Sequence, residues 1–136
     1  MVTQKKTKLY SGSRKTARAT AAFMQGSGKV KINNVPAELI TPWIAKERIM
    51  TPLELAGDYR EKVDIDVRVS GGGFMGQAEA AAIAISRGFV DFLRHKELRQ
   101  RIADYDKHLL SGDARQAEPK KFGGPGARRK RQKSYR

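Results

Sequence analysis

The chain has 136 residues, no cysteine and a formal net charge of +14, from 28 Lys and Arg against 14 Asp and Glu. One domain with a modest core fits that length, while disulfides, thiolate metal sites and thiol catalysis are excluded, and no run approaches the ~20 apolar residues of a membrane span. The charge is partitioned: residues 1–37 hold eight cations and no acid, residues 119–136 another eight and no acid, and residues 38–118 hold 12 cations and 14 acids.

An ordinary globular middle with two basic ends divides into three stretches: a basic N-terminal extension over residues 1–13, a globular domain over 14–112 and an extended basic tail over 113–136. Residues 1–10 are basic without the apolar run of a signal peptide, so a soluble protein that stays where it is made is expected. Between Lys15 and Ile32, Ala17, Ala19, Ala21 and Phe23 alternate with Arg18, Thr20, Ala22 and Met24. Alternation resumes at Lys29-Val30-Lys31-Ile32 after Gly26-Ser27-Gly28, which predicts a hairpin with a glycine-bearing loop. Residues 36–57 read as short helical pieces, interrupted at Pro36, Pro42 and Pro52, that offer Trp43, Ile44, Ile49, Leu53 and Leu55 to the core.

Val63-Asp64-Ile65-Asp66-Val67-Arg68-Val69-Ser70 alternates four β-branched residues with four polar ones, a strand with one wet face. Gly71-Gly72-Gly73 ends it. Ala78, Ala81, Ala82, Ile85, Phe89, Phe92 and Leu93 then recur at helical spacing, predicting a helix over residues 75–94. Leu98, Ile102 and Tyr105 predict a shorter one over Lys96–Tyr105. Strands and helices in this order predict an α+β fold, a small sheet with helices packed on one face.

Gly71, Gly73 and Gly76 fit G-x-G-x-x-G after a strand, with Glu97 about twenty residues on, formally a dinucleotide fingerprint. No further βαβ units flank it, so the crevice that would hold such a cofactor is missing. The glycines are better read as exposing backbone N–H groups to a phosphate oxygen at a helix N-terminus, or as a tight turn without a ligand. His95 and His108 have no second ligand at metal spacing. Asp64 and Asp66 read as a solvated strand face, and Asp104 and Asp106 lack the glycine and glutamate of a calcium loop. No catalytic residue, metal or cofactor is expected.

The tail carries the strongest signal. Lys120-Lys121-Phe122-Gly123-Gly124-Pro125-Gly126 and then Arg128-Arg129-Lys130-Arg131-Gln132-Lys133-Ser134-Tyr135-Arg136 cannot bury a core. Like charges extend such a segment, and a polyanion neutralises it. Phe122 and Tyr135 among the cations can stack on bases, and the glycines forbid a helix. A small phosphate-loop enzyme and a free-standing nucleic-acid chaperone are the competing classes.

Residues 112–128 together with Gln132-Lys133-Ser134-Tyr135-Arg136 resemble the universal small-subunit ribosomal protein nine family in its archaeal and eukaryotic form. Gly26-Ser27-Gly28-Lys29, Ser70-Gly71-Gly72-Gly73 and Gly76-Gln77-Ala78 extend the resemblance over essentially the whole length. It implies a cytoplasmic structural protein of the small-subunit head, with a left-handed βαβ crossover in its core. The implied partners are ribosomal RNA, neighbouring head proteins and the peptidyl-site transfer RNA; no membrane is implied. Lys133, Ser134, Tyr135 and Arg136 would contact the transfer RNA anticodon stem-loop. The candidate ribosomal RNA ligands are Arg14, Lys15, Gly71, Gly72, Gly73, Lys120, Lys121, Arg128, Arg129, Lys130 and Arg131. Bacterial members usually end in lysine and arginine, where this chain has Tyr135 and Arg136.

Overall fold

A computed structural model describes residues 6–135. Five strands, β1 (Lys8–Arg14), β2 (Ala17–Gln25), β3 (Val30–Ile32), β4 (Val35–Pro36) and β5 (Val63–Ser70), form one sheet in the order β1-β2-β5-β3-β4. Four α-helices, α1 (Trp43–Ala56), α2 (Phe74–Leu93), α3 (Lys96–Tyr105) and α4 (His108–Ser111), complete the α+β fold. The alternating residues of β2 and β5 bury Ala17, Ala19, Ala21, Phe23, Val63, Ile65, Val67 and Val69 on the helix-covered face. Their polar neighbours face outward, as the period of two demands.

The expected pairing of β2 with β3 is corrected. β2 pairs antiparallel with β1 and with β5, and β3 lies on the far side of β5, parallel to it, with α1 in the crossover. The glycine loop therefore spans the start of β5 instead of closing a hairpin. One Asp64 carboxylate oxygen accepts the backbone N–H groups of Ser27, Gly28 and Lys29 at 2.9, 3.1 and 3.0 Å. Asp64, read as merely solvated, is thus the counterpart that shapes the loop. A Cβ at Gly26 would fall on that carboxylate. The true hairpins are β1–β2, turning at Lys15 (φ 53°), and β3–β4, turning at Asn33 and Asn34 (φ 49° and 67°). Two consecutive positive-φ residues are the signature of a type I′ turn, and asparagine tolerates them.

Two further expectations change. The sheet begins at Lys8, so residues 8–13 of the supposed extension belong to β1; residues 1–5 lie outside the described residues. Also, α1 runs unbroken through Pro52. Its buried stripe is Ala45, Ile49, Pro52, Leu53 and Ala56, so the ring sits in the core, and one forfeited ladder bond does not end the helix. Trp43 and Ile44 fall off that stripe and are 71% and 48% exposed.

Helix α2 is the central element. It crosses β1 and β2 while α1, α3 and α4 pack around it, which is why Ala80–Ser86 is buried throughout. Small side chains allow the approach. Phe23 is the hub, edge-on to Tyr10 at 5.3 Å and to Phe89 at 5.5 Å. Burying Phe23 or Phe89 fully contributes about 1.5–3 kcal/mol each.

Candidate nucleic-acid interface

The end of β5 meets the β1–β2 turn. Gly71 and Gly72 hold φ 76° and 64°, and a Cβ on Gly71 would lie 2.6 Å from the Thr16 carbonyl oxygen. These two glycines are required for the turn itself. Gly73 differs: its backbone is extended (φ −93°, ψ 171°) and open space surrounds the position of its missing Cβ. It precedes α2, whose first turn receives no side-chain cap; the Gln77 amide instead donates back to the Gly71 carbonyl at 3.1 Å. A cleft of about 230 Å³ runs between residues 14–16 and 72–76, with Lys15 exposed beside it. Uncapped N–H groups next to a lysine attract an anion.

Arg14 turns inward. Its Nε donates to Glu79 at 2.9 Å and its Nη2 lies 3.7 Å from Asp113. Nη1 is buried without a hydrogen-bond partner among the described residues. Asp113 is held more tightly by Arg115, at 2.6 Å from Nη2 and 3.0 Å from the backbone N–H. Hydrogen bonds from the Arg115 side chain and backbone hold the Asp113 carboxyl well below the usual carboxylate range, against the opposing effect of burial. Asp113 also bridges Arg14 in the backbone, and the Gln116 side chain donates to the Lys15 carbonyl at 3.2 Å. The root of the tail is therefore fixed beside the glycine turn.

Beyond Pro119 the tail folds back on itself. Glu118, the last acid before the basic run, accepts from Lys121 at 2.7 Å and Arg128 at 3.0 Å, and both cations depress its pKa. The Arg131 N–H donates to the Gly123 carbonyl at 3.2 Å. Gly124 is required there, since a Cβ would run into the Arg129 carbonyl. Lys120, Arg129, Lys130, Arg131 and Lys133 form no ion pair among the described residues. Phe122 and Tyr135 project into solvent.

The fold thus brings Lys15, Gly71, Gly72, Gly73 and the tail root together. It commits Arg14 to an internal network and engages Lys121 and Arg128 with Glu118. Lys133, Ser134 and Tyr135 are exposed, and Arg136 lies outside the described residues. Sequence reasoning missed Asp113 and Glu118, whose importance depends on which cation each one reaches. It also missed Arg18 and Arg68, exposed on neighbouring strands. Their alternation was visible, but not the register that makes them neighbours.

Both histidines and Asp106 have structural partners. The His95 ring lies 4.5 Å from that of Tyr59, the His108 Nδ1 is 3.3 Å from the Gly112 carbonyl, and Asp106 accepts the His108 N–H at 2.9 Å. Among the described residues no three His, Asp or Glu side chains gather as a metal site, and no helix is long and apolar enough to cross a membrane.

Comparison with known proteins places these features in one group. The sequence profile described as ribosomal protein S9/S16 matches residues 12–136. The small ribosomal subunit protein uS9 of Desulfurococcus amylolyticus is 54% identical over 126 residues, covering 93% of this chain and 90% of the relative. Those of Methanothrix thermoacetophila and Halobacterium salinarum are each 49% identical, over 126 and 127 residues, covering 93% of this chain and 96% of theirs. The glycine turn, the rooted basic tail and this near-full-length similarity agree: the chain belongs to the ribosomal protein S9/S16 family.

Proposed function

We propose that the chain is a structural constituent of the small ribosomal subunit that binds ribosomal RNA in the subunit head, beside neighbouring head proteins. Its last residues reach the anticodon stem-loop of the peptidyl-site transfer RNA. Family membership makes it a structural protein and not an enzyme. The observation that carries the RNA reading is the rooting of an eight-cation tail beside Lys15 and the glycine turn, through Asp113 and Gln116. Two cationic surfaces then start from one point, and a phosphate backbone can engage both. Lys15 and Gly73 serve the core surface, while Lys120, Lys121 and Arg128 to Arg131 serve the tail. Lys133, Ser134, Tyr135 and Arg136 are the residues for transfer RNA.

The test removes residues 133–136 and follows transfer RNA dissociation from purified small subunits over a salt series. Subunits should still assemble, and transfer RNA should leave the peptidyl site faster. Arg136→Ala should have an effect that shrinks with salt, whereas the effect of Tyr135→Ala should persist. Unchanged dissociation in the truncated subunits would remove the transfer RNA role and leave the tail end to assembly.

A further inference from the structure

The sheet face opposite the helices is uncovered and divided by chemistry. At the glycine-turn end, Arg18 stands opposite Ser70 on one side and Ser13 on the other; one step along, Thr20 stands opposite Arg68 and Ser11. Arg18 and Arg68 are exposed and form no ion pair among the described residues. At the other end the character changes: Ala22 stands opposite Asp66 and Leu9, Met24 stands opposite Asp64, and Lys31 of β3 stands across from Asp66. The cationic half adjoins Lys15 and Gly73, while the apolar half of mixed charge lies away from them. Arg18 and Arg68 are diagonal neighbours, about 7–8 Å apart by sheet geometry, so their guanidinium groups can take neighbouring phosphates of one strand.

We propose that the glycine turn and the cationic half of the open sheet face form one continuous surface for the sugar–phosphate backbone of double-helical RNA. This rests on the RNA-binding reading above and assigns a form of RNA to this part of the molecule. Charge complementarity selects the polyanion. No aromatic or large apolar side chain stands among Ser11, Ser13, Arg18, Thr20, Arg68 and Ser70, so this half lacks the aromatic platforms on which the splayed bases of unpaired RNA usually stack. It offers guanidinium groups and hydroxyls, which suit phosphates and 2′-hydroxyl groups along a duplex. Exposed aromatics lie off this sheet half, at Phe74 beyond the glycine turn, at Trp43 and Tyr105 on the helices, and at Phe122 and Tyr135 on the tail; the tail pair stands among cations, and unpaired nucleotides belong there.

The experiment uses the full chain and the double variant Arg18→Gln with Arg68→Gln. Binding is measured by fluorescence anisotropy to a short RNA duplex, to a DNA duplex of the same sequence and to an unpaired oligoribonucleotide, each over a salt series. Both side chains are exposed, so an unchanged melting temperature verifies the fold. The variant should lose about tenfold on the RNA duplex at moderate salt, and its slope of log affinity against log salt should fall by about two. Its loss on the unpaired strand should stay within about threefold. An equal loss on both RNA forms, or no loss on the duplex, overturns the assignment. Failure of the underlying reading would show differently, as a wild-type chain that binds the DNA duplex as tightly as the RNA duplex and the unpaired RNA.

Discussion

Gly12 and Gly73 illustrate opposite uses of the smallest residue. A methyl group at Gly12 would stand 2.5 Å from the Ala80 carbonyl oxygen and 2.7 Å from the Ala84 nitrogen, both backbone atoms of a central helix. Gly12→Ala should therefore destabilise the domain by about 1–3 kcal/mol, the usual range for overpacking. At Gly73 the space is open and φ is negative, so Gly73→Ala should be neutral or stabilise by about 0.4–1 kcal/mol through the unfolded chain. Denaturant melts of the two variants check the signs. If Gly73→Ala melts as expected yet weakens RNA binding, the missing Cβ serves close approach of a phosphate. Tyr10 supplies a pH signature at the same scale. Burial, then the hydrogen bond to Asp91 at 2.7 Å, pushes its phenol up from 10.0 to about 12. The folded state favours the neutral phenol, so its contribution is complete below the ordinary tyrosine pKa and is lost as pH rises through about 12. A spectrophotometric titration should show one tyrosine ionising late, and Tyr10→Phe should abolish that step. Asp113 has the opposite sign: its depressed pKa keeps the Arg115 contacts formed above the ordinary carboxylate pKa of about 3.9. They are lost only as pH falls well below it. Exchange of the Arg115 amide should follow intrinsic rates from neutral pH down to about 4 in Asp113→Ala, which removes the acceptor, and remain protected in the native chain.

At the scale of elements, the closed tail loop makes a claim about partner choice. Glu118 occupies two of the cations that RNA would otherwise take, Lys121 and Arg128, through exposed ion pairs. Such pairs are weak, so a specific RNA can displace them. Glu118→Gln should therefore raise affinity for random RNA and steepen its salt slope by about one to two. An unchanged slope would mean that Lys121 and Arg128 reach RNA with Glu118 in place. The loop was hidden in the sequence because like-charge repulsion argues for an extended tail, and a single acid at its base reverses that locally. β5 and α2 were legible because their periods of two and 3.6 are strong and their core faces continuous. The partner of β3 was not legible. Gly26-Ser27-Gly28 suits a hairpin loop as well as a crossing over β5, and the discriminating residue, Asp64, lies 37 positions from Ser27. The continuity of α1 was hidden because a proline inside a helix normally signals a break, and burial of the ring overrode it. For the interface, the tail cations and the glycine turn could be named from composition and spacing. Arg18 and Arg68 could not, because only strand register makes neighbours of residues 50 positions apart in sequence.

The whole molecule separates stability from charge. Its core ends at Leu109, and no described residue after Glu118 packs into it, whereas residues 119–136 supply eight positive charges. Removing them lowers the net charge from +14 to +6. Self-repulsion of a highly charged chain destabilises its compact state and is screened by salt. A chain ending at Glu118 should then retain the fold. It should melt within about 1 kcal/mol of the full chain at high salt, the scale of lost exposed ion pairs. At low salt it should be the more stable of the two. RNA affinity should change in the reverse sense, with the salt slope falling by several phosphate equivalents. Thermal melts and anisotropy titrations of both chains across one salt series decide the matter. If the shortened chain is less stable at every salt concentration, residues 119–136 belong to the folded body. If both changes appear with opposite sign, the domain holds its shape despite its tail, and the tail exists for the RNA.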